Sequence, residues 1–191
     1  MFAPSNRTSD GPARQPVVEP GLGGNCVIGI DPGLTRCGYA VMVGGPSGSA
    51  HAVALGVLRT DKDDDAPSRL AVLQADIEAL LVEYEPSAVA VERVFFQNNV
   101  RTAIGVAQAS GVVLAAAARR GCVVAEYTPS QVKDTVAGWG GADKAQVQRM
   151  VQMRLGLAAL PKPADAADAA AIALCRLAMS PGLVAASENR R

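Results

Sequence analysis

Two short runs of uninterrupted apolar residues, each closed by an acid, stand out along the chain: Val27-Ile28-Gly29-Ile30-Asp31 and Ala88-Val89-Ala90-Val91-Glu92. Short β-branched runs without polar alternation predict strands covered on both faces, and a carboxylate at the end of each would emerge at a rim. Pro32-Gly33 predicts a turn into a second strand over residues 37–43, and the segment Gly44-Gly45-Pro46-Ser47-Gly48 a turn into a third over about residues 51–60. Three strands joined so closely predict an antiparallel meander. Leu70, Leu73, Ile77, Leu80 and Leu81 then recur at helical spacing within residues 68–84, before Pro86 ends the pattern. The strand closed by Glu92 is followed by a predicted helix over about residues 100–120, a strand over 122–127 and helices over about 129–136, 143–155 and 163–179. Strand–helix–strand units attached to a meander predict an α/β fold of three layers.

Composition sets the bounds of that fold. With 191 residues, 49% of them hydrophobic, the chain is expected to form one domain with a sizeable core; only 4% are aromatic, so alanine and valine must fill it. Residues 1–25 are rich in Pro, Gly and Ser without periodicity and read as a disordered tail, leaving residues 26–180 as the folded domain and 181–191 as a flexible C-terminal tail. No apolar stretch reaches the roughly 18–20 residues of a membrane span, and no basic segment feeds an apolar one at the N-terminus, so a cytoplasmic protein is expected. Cys26, Cys37, Cys122 and Cys175 lack a CxxC pair and read as small core residues. His51, the sole histidine, is expected on the solvent face of the third strand.

The net charge is zero, but its distribution is uneven. Residues 59–92 carry nine acids against three bases, a net of −6, and residues 93–162 carry nine bases against three acids, a net of +6. One half of the molecule is thereby suited to face phosphates.

Candidate chemistry lies in four acids. Asp31 and Glu92 close the two apolar strands, and Asp165 and Asp168, three residues apart in the alanine-rich segment 163–170, share one helical face. Singly, each has an ordinary explanation: a turn at Asp31-Pro32-Gly33, a strand-end ion pair at Glu92-Arg93, dipole compensation at a helix start. Jointly they form an oxygen-donor set from distant parts of the chain, of the kind Mg²⁺ or Mn²⁺ prefers. Asp61, Asp63 and Asp65 imitate the start of an EF-hand loop, but Ala66 and Val72 stand where its glycine and glutamate belong. Gly21-Leu22-Gly23-Gly24 precedes the first strand instead of following it, which excludes a dinucleotide fingerprint.

In order and spacing, several pieces resemble the RuvC family of Holliday junction resolvases, whose fold is ribonuclease H-like. They are Ile28-Gly29-Ile30-Asp31-Pro32-Gly33 with Gly38-Tyr39, Glu92 followed by Phe95, Gln108-Ala109 with Gly111, Tyr127 with Gln131-Val132-Lys133, Lys144, and Ala164-Asp165-Ala166-Ala167-Asp168-Ala169. The resemblance spans residues 26–177. It implies a mixed five-stranded sheet flanked by helices, and an endonuclease of recombination and repair that nicks two strands of a four-way junction symmetrically, leaving 5′ phosphates. It further implies that Asp31, Glu92, Asp165 and Asp168 hold two Mg²⁺ ions, for which Mn²⁺ substitutes, that Phe95 contacts bases at the branch point, that Lys133 and Lys144 touch DNA, and that a branch-migration motor of the RuvA and RuvB type is a partner.

The residues bear on these expectations independently. Thr128 and Ser130 have no histidine near them in sequence, and the cysteines have no basic partner, which disfavours a covalent nucleophile. Phe95 and Phe96 are two of only three phenylalanines and precede Gln97-Asn98-Asn99, so at least one is expected to be presented for stacking on an unpaired base. The helix over residues 100–120 is crowded with Ala and Gly and apolar nearly all round, which predicts cover on a second side by a two-fold homodimer. Actin-like and sugar-kinase phosphotransferases also begin with an aspartate and a glycine turn between strands, but they generally need a second domain and another phosphate loop.

Overall fold

A computed structural model describes residues 25–94 and 100–179. Apart from Asn25, the predicted tails lie outside the described residues, as do Phe95 and Phe96. Strands β1 (Cys26–Asp31), β2 (Arg36–Gly44) and β3 (Ala50–Arg59) form the meander. Helix α1 (Ala66–Tyr84), strand β4 (Ala88–Glu92), helix α2 (Val100–Arg119) and strand β5 (Val123–Tyr127) follow, then helices α3 (Pro129–Ala137), α4 (Lys144–Arg154) and α5 (Ala164–Met179). The sheet has the order β3-β2-β1-β4-β5, antiparallel from β3 to β1 and parallel from β1 to β5. The mixed five-stranded sheet expected of the resemblance is therefore present.

The period-2 alternation of the central strands divides the core in two. Ile28, Ile30, Cys37, Val41, Val89 and Val91 face α1 and α2, whereas Val27, Ala40, Met42, Ala88 and Ala90 face α5, with α3 and α4 covering its outer side. By the same alternation Asp31 and Glu92 continue the α5 side of their strands. The acids that imitated a calcium loop have local roles. Asp61 accepts from the Asp63 amide at 3.0 Å, and Asp65 caps α1 by accepting from the Ser68 amide at 2.8 Å. His51 is exposed, and Cys26, Cys37 and Cys175 are buried, as expected of them.

Helix α5 owes its position to glycine. Its first turns lie on β2 and β1 so closely that a Cβ at Gly38 would collide with the backbone carbonyl of Asp165, and one at Gly29 with that of Ala169. Only a residue without a side chain allows a helix backbone to rest on a strand in this way. The alanines of α5 complete the fit: Ala166, Ala167, Ala169, Ala170, Ala171 and Ala173 are all essentially inaccessible. The alanine-rich helix whose middle is enclosed is thus α5, with Asp165 and Asp168 left partly open to solvent. Along α2 the outward positions Ile104, Gln108, Gly111, Ala115 and Ala118 are exposed in the single chain.

Candidate metal centre and nucleic-acid interface

The four acids come from three elements that meet at one end of the central strands. In the parallel pairing of β1 with β4, Ile30 is opposite Val91, so Asp31 and Glu92 leave adjacent strand ends side by side. In the antiparallel pairing of β1 with β2, Asp31 is opposite Gly38, the residue on which Asp165 rests. Asp168 follows one turn later on the same side of α5, as its spacing predicts. The sequence thus brings together all four predicted acids.

The negative charges around them are felt at Asp31 and Glu92. The Asp31 carboxyl is pushed up to about 7, first by burial and then by the negative charges of Glu92, Asp168 and Asp165, with Lys144 opposing. Glu92 is also raised, by burial first and by Asp168 second, while Lys144 and Lys133 pull the other way. Two cations answer this concentration of charge. Lys144 Nζ donates to Asp168 Oδ2 at 2.6 Å, a contact that holds the lysine above its ordinary range. The Arg36 guanidinium donates to Asp165 Oδ2 through Nε at 2.9 Å and through Nη2.

Neighbouring elements fix these cations in place. Lys144 opens α4 directly after Asp143, whose side chain and that of Gln146 form a reciprocal capping box. Thr128 and Gln131 do the same for α3, the helix that carries Lys133. Arg36 follows the β1–β2 turn, which is braced from outside. Arg69 donates to Thr35 Oγ1 and to Thr60 Oγ1, and Thr60 in turn donates to the Leu34 carbonyl.

The donors suit a hard divalent cation. The candidate ligands are all oxygens, and a carboxyl raised by burial and then by like charges has more to gain from a cation than from water. Among the described residues, however, no three acidic, cysteine or histidine side chains stand close enough together to hold a metal ion as they are. Asp165 and Asp168 are instead engaged with Arg36 and Lys144. A cation bound by these carboxylates would compete with the two ion pairs. A thiol nucleophile is disfavoured by burial, which pushes Cys37 up to about 12.

Arg36 was not among the residues expected at the site. The one sign of it in the sequence is a lone cation opening an otherwise apolar strand, Arg36-Cys37-Gly38-Tyr39-Ala40-Val41. The capping boxes were likewise not singled out, although their signal stands in Thr128-Pro129-Ser130-Gln131 and Asp143-Lys144-Ala145-Gln146.

The family model for crossover junction endodeoxyribonuclease RuvC matches residues 27–176, all but the first residue of the sheet and most of α5. The chain belongs to the RuvC family. It is 54% identical over 151 residues to the crossover junction endodeoxyribonuclease RuvC of Salinispora arenicola, a match that covers 79% of this chain and 86% of that one. Its structure is similar to that of Thermus thermophilus RuvC in complex with Holliday junction substrate, with a TM-score of 0.78 and 37% identity, covering 84% of this chain and 97% of that one. The yeast mitochondrial Holliday junction resolvase Ydc2 shares the fold at a TM-score of 0.61, with 17% identity, 82% of this chain and 81% of that one being covered. Among the described residues of this RuvC-family chain no helix is long and apolar enough to cross a membrane.

Proposed function

We propose that the protein resolves four-way DNA junctions in recombination and repair, by hydrolysing one phosphodiester in each of two symmetry-related strands and leaving 5′ phosphates. The observation that carries this reading is the convergence of Asp31 and Glu92, at the ends of two adjacent central strands, with Asp165 and Asp168 of the helix packed on them, in a chain of the RuvC family.

Asp31, Glu92, Asp165 and Asp168 would hold two Mg²⁺ ions, with Mn²⁺ able to substitute. Bound there, the metals would supply a hydrolytic water of lowered pKa and neutralise charge on the departing oxygen. The chain's own residues do the rest. Asp31 and Glu92, fixed by two central strands, give the site a rigid floor, and α5 brings Asp165 and Asp168 over it. Lys133 and Lys144, on helices that flank the acids, would receive phosphates of the bound strand. Phe95 would stack on a base at the branch point, an assignment that rests on the family resemblance and on its place after Glu92.

Two sites are needed for two strands, so the active species is a homodimer, joined through the outward face of α2. A branch-migration motor of the RuvA and RuvB type is the partner the family implies, and the cytoplasm is the compartment. The test is incubation of the purified protein with a synthetic four-way junction, with and without Mg²⁺, and mapping of the nicks. Metal-dependent, symmetric nicks bearing 5′ phosphates are expected; a junction left whole, or cut equally without metal, would refute the proposal.

A further inference from the structure

The Arg36–Asp165 pair has a consequence for how the site loads. Both Nε and Nη2 of Arg36 converge on one oxygen, Oδ2 of Asp165, at a partly exposed position at the same end of the strands as Asp31. The residue is held from behind by the braced β1–β2 turn, and the aspartate from below by Gly38. A carboxylate engaged in this way is a poorer ligand for a cation, because the cation must displace a paired guanidinium. Lys144 acts similarly on Asp168, but it is one flexible ammonium, whereas Arg36 presents a planar fork that suits a phosphate as well as a carboxylate.

We propose that Arg36 is a positioning residue that couples metal loading to DNA binding. Without DNA it neutralises Asp165 and weakens metal binding. When a DNA strand reaches the site, the guanidinium moves from Asp165 to a phosphate of that strand, and the freed carboxylate takes the cation. The consequence is a nuclease that arms itself on its substrate. This inference rests on the junction-nuclease reading above for the identity of the DNA.

The test measures cation affinity by calorimetry, with and without a synthetic four-way junction, in the wild type, Arg36→Gln and Arg36→Lys. Ca²⁺ is the probe, being an oxygen-ligated divalent cation of looser geometry than Mg²⁺, and gels verify that the junction stays whole. Without DNA, Arg36→Gln is expected to bind Ca²⁺ about 2- to 5-fold more tightly than the wild type, the scale of one partly exposed ion pair. With the junction present, that advantage is expected to vanish or reverse. Arg36→Lys keeps the charge but not the fork and is expected to fall between the two, which provides the comparison should Arg36→Gln fold poorly. Equal or weaker affinity in Arg36→Gln without DNA, or the same ratio with and without the junction, would overturn the proposal. Failure of the nuclease reading would appear separately, as a junction left uncut in Mg²⁺.

Discussion

The backbone of Asp165 rests directly on Gly38, with no room for a methyl group between them. Because Gly38 is paired with Asp31 across the β1–β2 ladder, this one approach sets the distance between an acid of the sheet and an acid of the helix. Gly38→Ala is expected to push the start of α5 off the sheet at a cost of about 1–3 kcal/mol, the usual penalty for overpacking. Cleavage should fall far more than stability does, since the metal ligands move apart. A melting curve and a cleavage time course on the same sample check this, and a variant with normal turnover would separate the site from the Gly38 contact.

Asp31 makes a prediction about pH. Its folded pKa of about 7 lies above the ordinary value of 3.8, so between those values the native state binds more protons than the unfolded state. The favourable contribution is complete below pH 4 and is lost as pH rises toward and through 7. Metal-free protein should therefore lose stability over that window, on the order of 2–4 kcal/mol at the upper end. Asp31→Asn should flatten this dependence, and at pH 8 without metal the variant should melt several degrees above the wild type while being inactive. Parallel melting curves of the two proteins from pH 4 to 8 would contradict the assignment.

Neutral amides at the four acids should divide binding from chemistry. Asp31→Asn, Glu92→Gln, Asp165→Asn and Asp168→Asn each remove a ligand but no phosphate contact, so junction affinity should persist while nicking disappears. Affinity may be read by gel shift in EDTA and activity in Mg²⁺. Full activity in any one variant would remove that residue from the metal centre.

Lys133 and Lys144 should differ in what their loss does. Either lysine replaced by Ala should weaken junction binding and lower the salt slope by about one counterion. Lys144→Ala should in addition release Asp168 from its ion pair and raise cation affinity in the absence of DNA, which Lys133→Ala should not do, since Lys133 bears on Glu92 only through space. Salt titrations and cation titrations of both variants check the distinction.

Much of this was legible because strands covered on both faces leave little choice of residue. The runs ending at Asp31 and Glu92 have no polar interruption, and a carboxylate at the end of such a run has nowhere to go but a rim. The spacing of Asp165 and Asp168 fixed their common face in the same local way. The partner of Arg36 was not legible, because Asp165 lies 129 residues away and the contact exists only once α5 has settled on Gly38. Composition also left open which apolar helix is enclosed. Both α2 and α5 are rich in alanine, and only the packing of α3 and α4 against α5 distinguishes the helix inside the fold from the one whose outer face remains open.

That open face of α2 provides the last prediction. A four-way junction has approximate two-fold symmetry, and ligatable products require two strands of like polarity to be nicked at related positions. One site per chain cannot do this in a single encounter, whereas two chains related by a two-fold axis can. Ile104, Gln108, Gly111, Ala115 and Ala118 lie along the outward side of α2, Ile104 being 51% exposed. A Cβ at Gly111 would meet nothing within 4 Å, so Gly111→Leu has room within one chain and should gain roughly 1 kcal/mol of helix propensity. In a dimer packed through this face the same leucine would hold the helices apart. Wild-type protein is therefore expected to sediment as a dimer and to make paired nicks, and Gly111→Leu as a well-folded monomer whose nicks, if any, are unpaired. A fully active Gly111→Leu dimer would exclude this face, and an active wild-type monomer would end the dimeric mechanism altogether.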